Sequence, residues 1–219
     1  MDFQFSPEQD ALRDAVRAFM TDWAERHDAR DGLSDADWAE LVELGWTGLL
    51  VPEADGGLGL GLVDAAVVLE EMGKVAFPGP YLGSAVIAAV ATRRLGLDDL
   101  GAEIASGARG AVALEESGHG DPVERVRARA RRRGAQWRLT GEKPLVLDLP
   151  GAAWVLVVAR TPEGIGTFRI DRPEAAPIPT IDATRSVGRL VLDETPATPV
   201  GPQKTPRPFH RQWGDTRSR

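Results

Sequence analysis

The sequence has no cysteine in 219 residues, so it can form neither a disulfide nor a thiolate nucleophile, and no cysteine-based metal site is open to it. A reducing cytoplasm suits such a chain. Histidine is nearly as scarce: His27, His119 and His210 fall in an acidic helix end, a glycine loop and the tail, without the paired spacing that zinc ligands show. No metal is expected. Ser84, Ser117 and Ser186 lack a Gly-x-Ser-x-Gly setting, so no hydrolase triad can be argued. Positive charge is in deficit, with a net charge of −7. Nucleic-acid affinity rests largely on clustered positive charge, and no nucleic-acid partner is expected. No apolar run reaches the roughly 18 residues that a bilayer span needs; the longest candidate, Tyr81 to Ala91, reads as a buried helix. Met1-Asp2-Phe3-Gln4-Phe5 lacks a basic stretch followed by an apolar core, so it is not a signal-peptide pattern. The expected location is cytoplasmic, with no membrane partner. No internal repeat is visible.

What is present is the composition of a folded protein, 42% hydrophobic and 27% charged. Ser6-Pro7-Glu8-Gln9 combines a capping hydroxyl, a proline at the first helical position and a glutamine at the third, which together specify a helix start. Leu12, Val16, Phe19 and Trp23 then recur at helical spacing. A second cap, Ser34-Asp35-Ala36-Asp37, opens a helix that turns Trp38, Leu41 and Val42 inward and stops at Gly45. Leu62 to Met72, Gly79 to Leu95 and Asp98 to Ser106 continue the helical pattern. Near Gly107 the period changes, and Ala111 to Leu114, Trp137 to Leu139, Trp154 to Val158 and Val187 to Leu192 read as strands separated by glycine and proline. Helices first and strands afterwards predict an α+β chain: a helical domain over 1–109, a β-rich domain over 110–200 and an irregular tail over 201–219.

Two segments invite a chemical reading. Val51 to Gly61 is rich in glycine, but Gly59-Leu60-Gly61 runs into Leu62-Val63, not the Gly-Lys-Ser/Thr of a P-loop, and it follows a helix where a dinucleotide fingerprint needs a strand. A packing turn is the reading preferred, with direct phosphate contact as the alternative. Arg125, Arg127, Arg129 and Arg131 alternate with Val126, Ala128 and Ala130, ahead of Arg132 and Arg133. Such alternation means a half-buried strand whose basic side is a solvated face, anion binding being the alternative. Many carboxylates could serve as a base, and no pattern singles one out.

The segments Gly45-Trp46-Thr47-Gly48-Leu49-Leu50-Val51-Pro52-Glu53 and Gly56-Gly57-Leu58-Gly59, after two capped helices, resemble the N-terminal domain of acyl-CoA dehydrogenases. So do Phe5-Ser6-Pro7-Glu8-Gln9 and the run from Glu70-Glu71-Met72-Gly73 to Gly79-Pro80-Tyr81-Leu82-Gly83-Ser84, the last in the manner of divergent partner-type subunits. Ala113 to Asp121 resembles the family's flavin-binding strand and loop. Leu139 to Lys143 and Ala152 to Ala159 resemble its middle-domain strands, and Asp182 to Ser186 with Val191 to Asp193 resembles its closing segment. The likeness covers about residues 3 to 200. It implies a helical domain followed by a β-barrel-like, orthogonal-sheet middle domain, with FAD as cofactor and an acyl-CoA thioester as substrate. It places Leu114, Glu115, Gly120, Asp121, Val146 and Leu147 at flavin-side positions.

Three departures shape the expected function. Glu115 and Asp121 stand where the family has a threonine and a serine, which puts acids beside an anionic cofactor. Leu145-Val146-Leu147 replaces Trp-Ile-Thr, removing aromatic packing and a hydroxyl at the flavin ring. The helical C-terminal domain that supplies the family's glutamate base does not follow Val200, so no catalytic residue is carried over. The resemblance implies FAD-linked α,β-dehydrogenation, in which a glutamate takes the α-proton and the β-hydrogen leaves as hydride. Here it needs a partner or a missing C-terminal segment, and a homo- or hetero-oligomer with another acyl-CoA dehydrogenase subunit is expected. The alternatives are a non-catalytic scaffold subunit of a hetero-oligomeric dehydrogenase and a truncated inactive product.

Overall fold

The computed structural model describes residues 4–204, with side chains through residue 201. Helix α1 (Pro7–Arg26) starts as its sequence predicts: Gln9 N donates to Ser6 Oγ at 3.3 Å and Ser6 N donates to Gln9 Oε1 at 3.1 Å, a reciprocal box that satisfies two first-turn N–H groups. Ser34 and Asp37 repeat the device on α2 (Asp35–Glu43). Val16, Met20 and Trp23 of α1, Trp38 and Leu41 of α2, and Ala65, Val68 and Met72 of α3 (Leu62–Lys74) share one core. Tyr81, Ala85, Ala88 and Ala89 join that core, which bears out the buried helix expected there. Its opening turns, Tyr81–Ala88, are a π-helix that continues as α4 (Ala89–Leu95) before α5 (Asp98–Ala105).

The glycine-rich loop is a packing turn. The N–H groups of Leu58, Gly59 and Leu60 donate to the carbonyls of Gly48, Val51 and Leu49 at 3.0, 2.8 and 2.9 Å. A Cβ on Gly57 would lie 2.2 Å from Val51 O and 2.5 Å from Gly48 O, so the chain closes on itself where only glycine fits.

The second part carries β1 (Gly110–Ala113), a short helix α6 (Pro122–Arg125), β2 (Arg129–Arg133), β3 (Gln136–Leu147), β4 (Trp154–Thr161), β5 (Gly164–Asp171), β6 (Ala176–Pro177) and β7 (Val187–Lys204). The strand order β1-β4-β2-β3-β7-β5 is closed by a β4–β5 pairing, giving a barrel. β1 and β2 share one edge of β4: β1 runs parallel to it from Gly110↔Trp154 to Ala113↔Val157, and Arg129↔Arg160 carries that edge on. Ala130, Leu139, Val157, Phe168, Leu190 and Leu192 fill the interior. The α+β architecture is therefore as expected, helices first and a barrel-like sheet after.

Two differences from expectation have physical causes. The basic stretch becomes a strand only at Arg129, because Pro122 opens α6 with Asp121 as its cap; alternation still holds, with Val126, Ala128 and Ala130 buried and Arg127, Arg129 and Arg131 exposed. The irregular tail expected from Gly201 is contradicted over residues 201–204, where β7 extends along β5 to the pair Ile165↔Lys204. The remainder of that tail, with His210, lies outside the described residues.

The two parts share a core, since Trp154 and Leu156 of β4 pack among the helices. Gly110 N donates to buried Ser84 Oγ at 2.9 Å, Ala153 N to Arg109 O at 2.8 Å and Gly79 N to Thr184 O at 3.2 Å.

Candidate functional site

The loop from Leu114 to Asp121 leaves the end of β1 and returns through α6 to β2, and charge holds it in place. Glu116 turns inward, 8% exposed. Its carboxylate accepts from Lys143 Nζ at 2.7 Å and from the backbone N–H groups of Arg127 and Ala128 at 2.7 and 3.0 Å. Lys143, fully buried, also donates to Leu114 O at 3.1 Å. Burial pushes the Glu116 carboxyl up, but the lysine and the two N–H groups outweigh it and hold it below the usual carboxylate range. The same burial draws the Lys143 ammonium below its ordinary value against the pull of Glu116. The result is a desolvated ion pair that ties the loop to the barrel wall.

Arg125 forms the outer clasp. Its Nη1 donates to Glu116 O at 2.6 Å and Gly118 O at 2.9 Å, and its Nη2 to Glu115 Oε2 at 2.8 Å. Glu115 is thus neutralised within the loop. Asp121 is likewise occupied, its Oδ1 accepting from Val123 N at 2.8 Å as the cap of α6. Gly120, at φ +100°, supplies the reversal between them. His119 lies exposed in the same loop. Among the described residues no group of three or more His, Cys, Asp or Glu side chains could hold a metal ion.

On β3 the register shifts between Lys143 and Val146. This bulge turns both side chains inward three positions apart. Val146 therefore belongs to the barrel core, Leu147 is half-buried, and Leu145 points outward at 58% exposure. Leu114, Glu115, Gly120 and Asp121 lie on the loop after β1, and Val146 and Leu147 on β3; their side chains offer two carboxylates and aliphatic groups. Arg125 of α6, a strong donor, is spent on the loop's own groups. An anionic cofactor needs donors aimed at its phosphates and ring, and this donor set does not fit FAD.

Sequence reasoning missed Glu116, Arg125 and Asp148 as site-shaping residues. A parity signal existed for Lys143, which stands two and four residues beyond Gly141 and buried Leu139 on one strand face. Asp148 needed the tertiary structure. It caps the end of β3 at φ +55°, is 2% exposed, and its Oδ2 accepts from Gly83 N of the π-helix at 3.1 Å, while Oδ1 is buried with no hydrogen-bond partner. Burial raises its carboxyl to about 6 despite the Gly83 N–H and the nearby Arg185 guanidinium. Asp148 and Arg185 face a cleft of about 380 Å³ between the helices and the barrel.

A capped helical domain with a packing turn, followed by a closed barrel with a lysine-locked loop, defines an acyl-CoA dehydrogenase-like protein. The acyl-CoA dehydrogenase N-terminal domain family matches residues 6–103. Acyl-CoA dehydrogenase FadE12 of Mycobacterium tuberculosis is 30% identical over 177 residues, covering 72% of this chain and 43% of the relative. Among solved structures, a variant of the Tcur3481-Tcur3483 steroid ACAD superposes with a TM-score of 0.74 at 34% identity, covering 89% of this chain and 57% of that one. The ChsE4-ChsE5 complex from Mycobacterium tuberculosis gives 0.76 at 29% identity, covering 92% and 58%. The chain belongs to the acyl-CoA dehydrogenase family and carries its N-terminal and middle parts. It spans less than half the length of the curated relatives it matches, 43% in the case of FadE12.

Proposed function

We propose that this chain is the subunit of a hetero-oligomeric acyl-CoA dehydrogenase that does not itself hold the flavin. Another polypeptide then supplies the FAD contacts and the catalytic base for α,β-dehydrogenation of an acyl-CoA thioester. The observation that carries this reading is the internal closure of the flavin-side loop: Glu115 is bound to Arg125, and Asp121 to Val123 N. Supporting it, two of the matched structures are named as two-component assemblies, Tcur3481-Tcur3483 and ChsE4-ChsE5. The lack of cysteine suits a cytoplasmic setting. No helix among the described residues is long and apolar enough to cross a membrane.

The test is flavin stoichiometry. The full chain is purified alone and after co-expression with full-length acyl-CoA dehydrogenases from the same cell, and FAD is measured by its visible absorbance. The expected result is a colourless chain alone and a complex holding about one FAD per pair of unlike chains, unchanged by Glu115→Ala. Stoichiometric uptake of FAD by the chain alone would overturn the reading.

A further inference from the structure

The basic strand does something the flavin-side reading leaves unused. Residues 1–109 hold 20 carboxylates against 8 lysines and arginines, and residues 110–219 hold 13 against 18, so the helical part carries −12 and the remainder +5. Within the barrel the positive charge gathers on one outer face. Ala128, just before β2, and Ala130 on it are each 1% exposed, and Arg127, Arg129 and Arg131 between and beside them are exposed, spaced at about 7 Å where the chain is extended. None of these three guanidiniums makes an ion pair or hydrogen bond among the described residues, whereas Arg125, Arg133, Arg138 and Arg160 are all engaged.

The register crowds like charges further. Arg131 stands directly opposite Arg138 on β3, and Arg129 opposite Arg160 on β4. Such pairings disfavour a sheet and are relieved by an acidic surface laid across them. The face is a strand surface and lines none of the clefts found at the helix–barrel junction, so it suits a broad partner over a small molecule. The helical part offers the matching chemistry: Glu43 and Glu53 are exposed, Glu40 and Asp55 are half-buried, and none of the four makes an ion pair among the described residues.

We propose that the outer face of β2 and the segment leading into it, through Arg127, Arg129 and Arg131, docks on the acidic helical part of a second copy of this chain. The contact joins unlike surfaces, so it forms a pair in which it occurs twice, a ring, or an open chain of copies. Its strength is electrostatic, and salt screens it.

Sedimentation velocity of the full chain, at low micromolar concentration in 50 mM and 500 mM NaCl, tests this. The expected result is association at low salt that weakens at least tenfold at high salt. Arg127→Glu/Arg131→Glu should abolish it, as should Glu40→Arg/Glu43→Arg/Glu53→Arg, and mixing the two variants should restore it. Circular dichroism checks that each variant is folded, and the rescue on mixing cannot come from a misfolded pair. A monomer at low salt overturns the proposal. So does association indifferent to both reversals, or arginine reversal that removes only the binding of a fluorescent single-stranded oligonucleotide.

Discussion

Replacing Asp148 by asparagine is expected to change how the protein's stability depends on pH. The Asp148 carboxyl is raised from 3.8 to about 6 because burial disfavours its charge. A raised acid makes the folded state bind more protons than the unfolded chain between those two values, so stability falls as pH rises through that window and stays lower above it. At about 1.4 kcal/mol per pKa unit, the ionised carboxylate costs the fold up to about 3 kcal/mol at pH 7.5. Asparagine removes that cost and keeps the essential geometry. Its amide oxygen accepts from Gly83 N as Oδ2 does, and it tolerates the left-handed backbone at φ +55°. Its amide nitrogen falls where Oδ1 has no partner, a penalty of about 1–3 kcal/mol at every pH. The two effects separate cleanly, because only the first varies with pH. Urea unfolding followed by tryptophan fluorescence at pH 4 and 7.5 should show the variant gaining about 2–3 kcal/mol relative to the native protein between those conditions. A difference between variant and native protein that stays flat across this range would refute the account of Asp148.

Two further substitutions test the loop and the turn. Lys143→Met leaves Glu116 buried without its lysine and is expected to cost about 3–5 kcal/mol, while Lys143→Met combined with Glu116→Gln recovers part of it; denaturant midpoints decide. Gly57→Ala drives a methyl to 2.2 Å from Val51 O and should cost about 1–3 kcal/mol, read as a lower thermal midpoint with the total helix content by circular dichroism unaltered.

The helical half was legible because its signals are local. Ser6 with Gln9 and Ser34 with Asp37 state their own caps, and the tryptophans mark the inward face. The barrel was legible as alternation: Val126, Ala128 and Ala130 point inward as the sequence pattern requires. What escaped depends on distant pairing. The bulge that turns Val146 into the core arises from the register with β7, and the arginine that neutralises Glu115 comes from a helix ten residues away whose existence rests on Pro122. The partner of the buried Asp148 carboxylate, Gly83, lies 65 residues away, where no local pattern announces it. The contacts that Glu115 and Asp121 make, with Arg125 and with Val123 N, became visible only in three dimensions.

The closure of β4 on β5 leaves the barrel as a ring with an annex of short strands. A ring has few unpaired N–H and C=O groups to offer along its circumference, so a second polypeptide gains little by extending it strand on strand. Whatever assembles with this protein must read side chains, and two surfaces of opposite character are available to be read. The face of β2 is written in guanidiniums, the helices in carboxylates. Assembly of such a molecule answers to the ionic composition of its surroundings, and exchange of a few surface residues can redirect it without disturbing the barrel behind them.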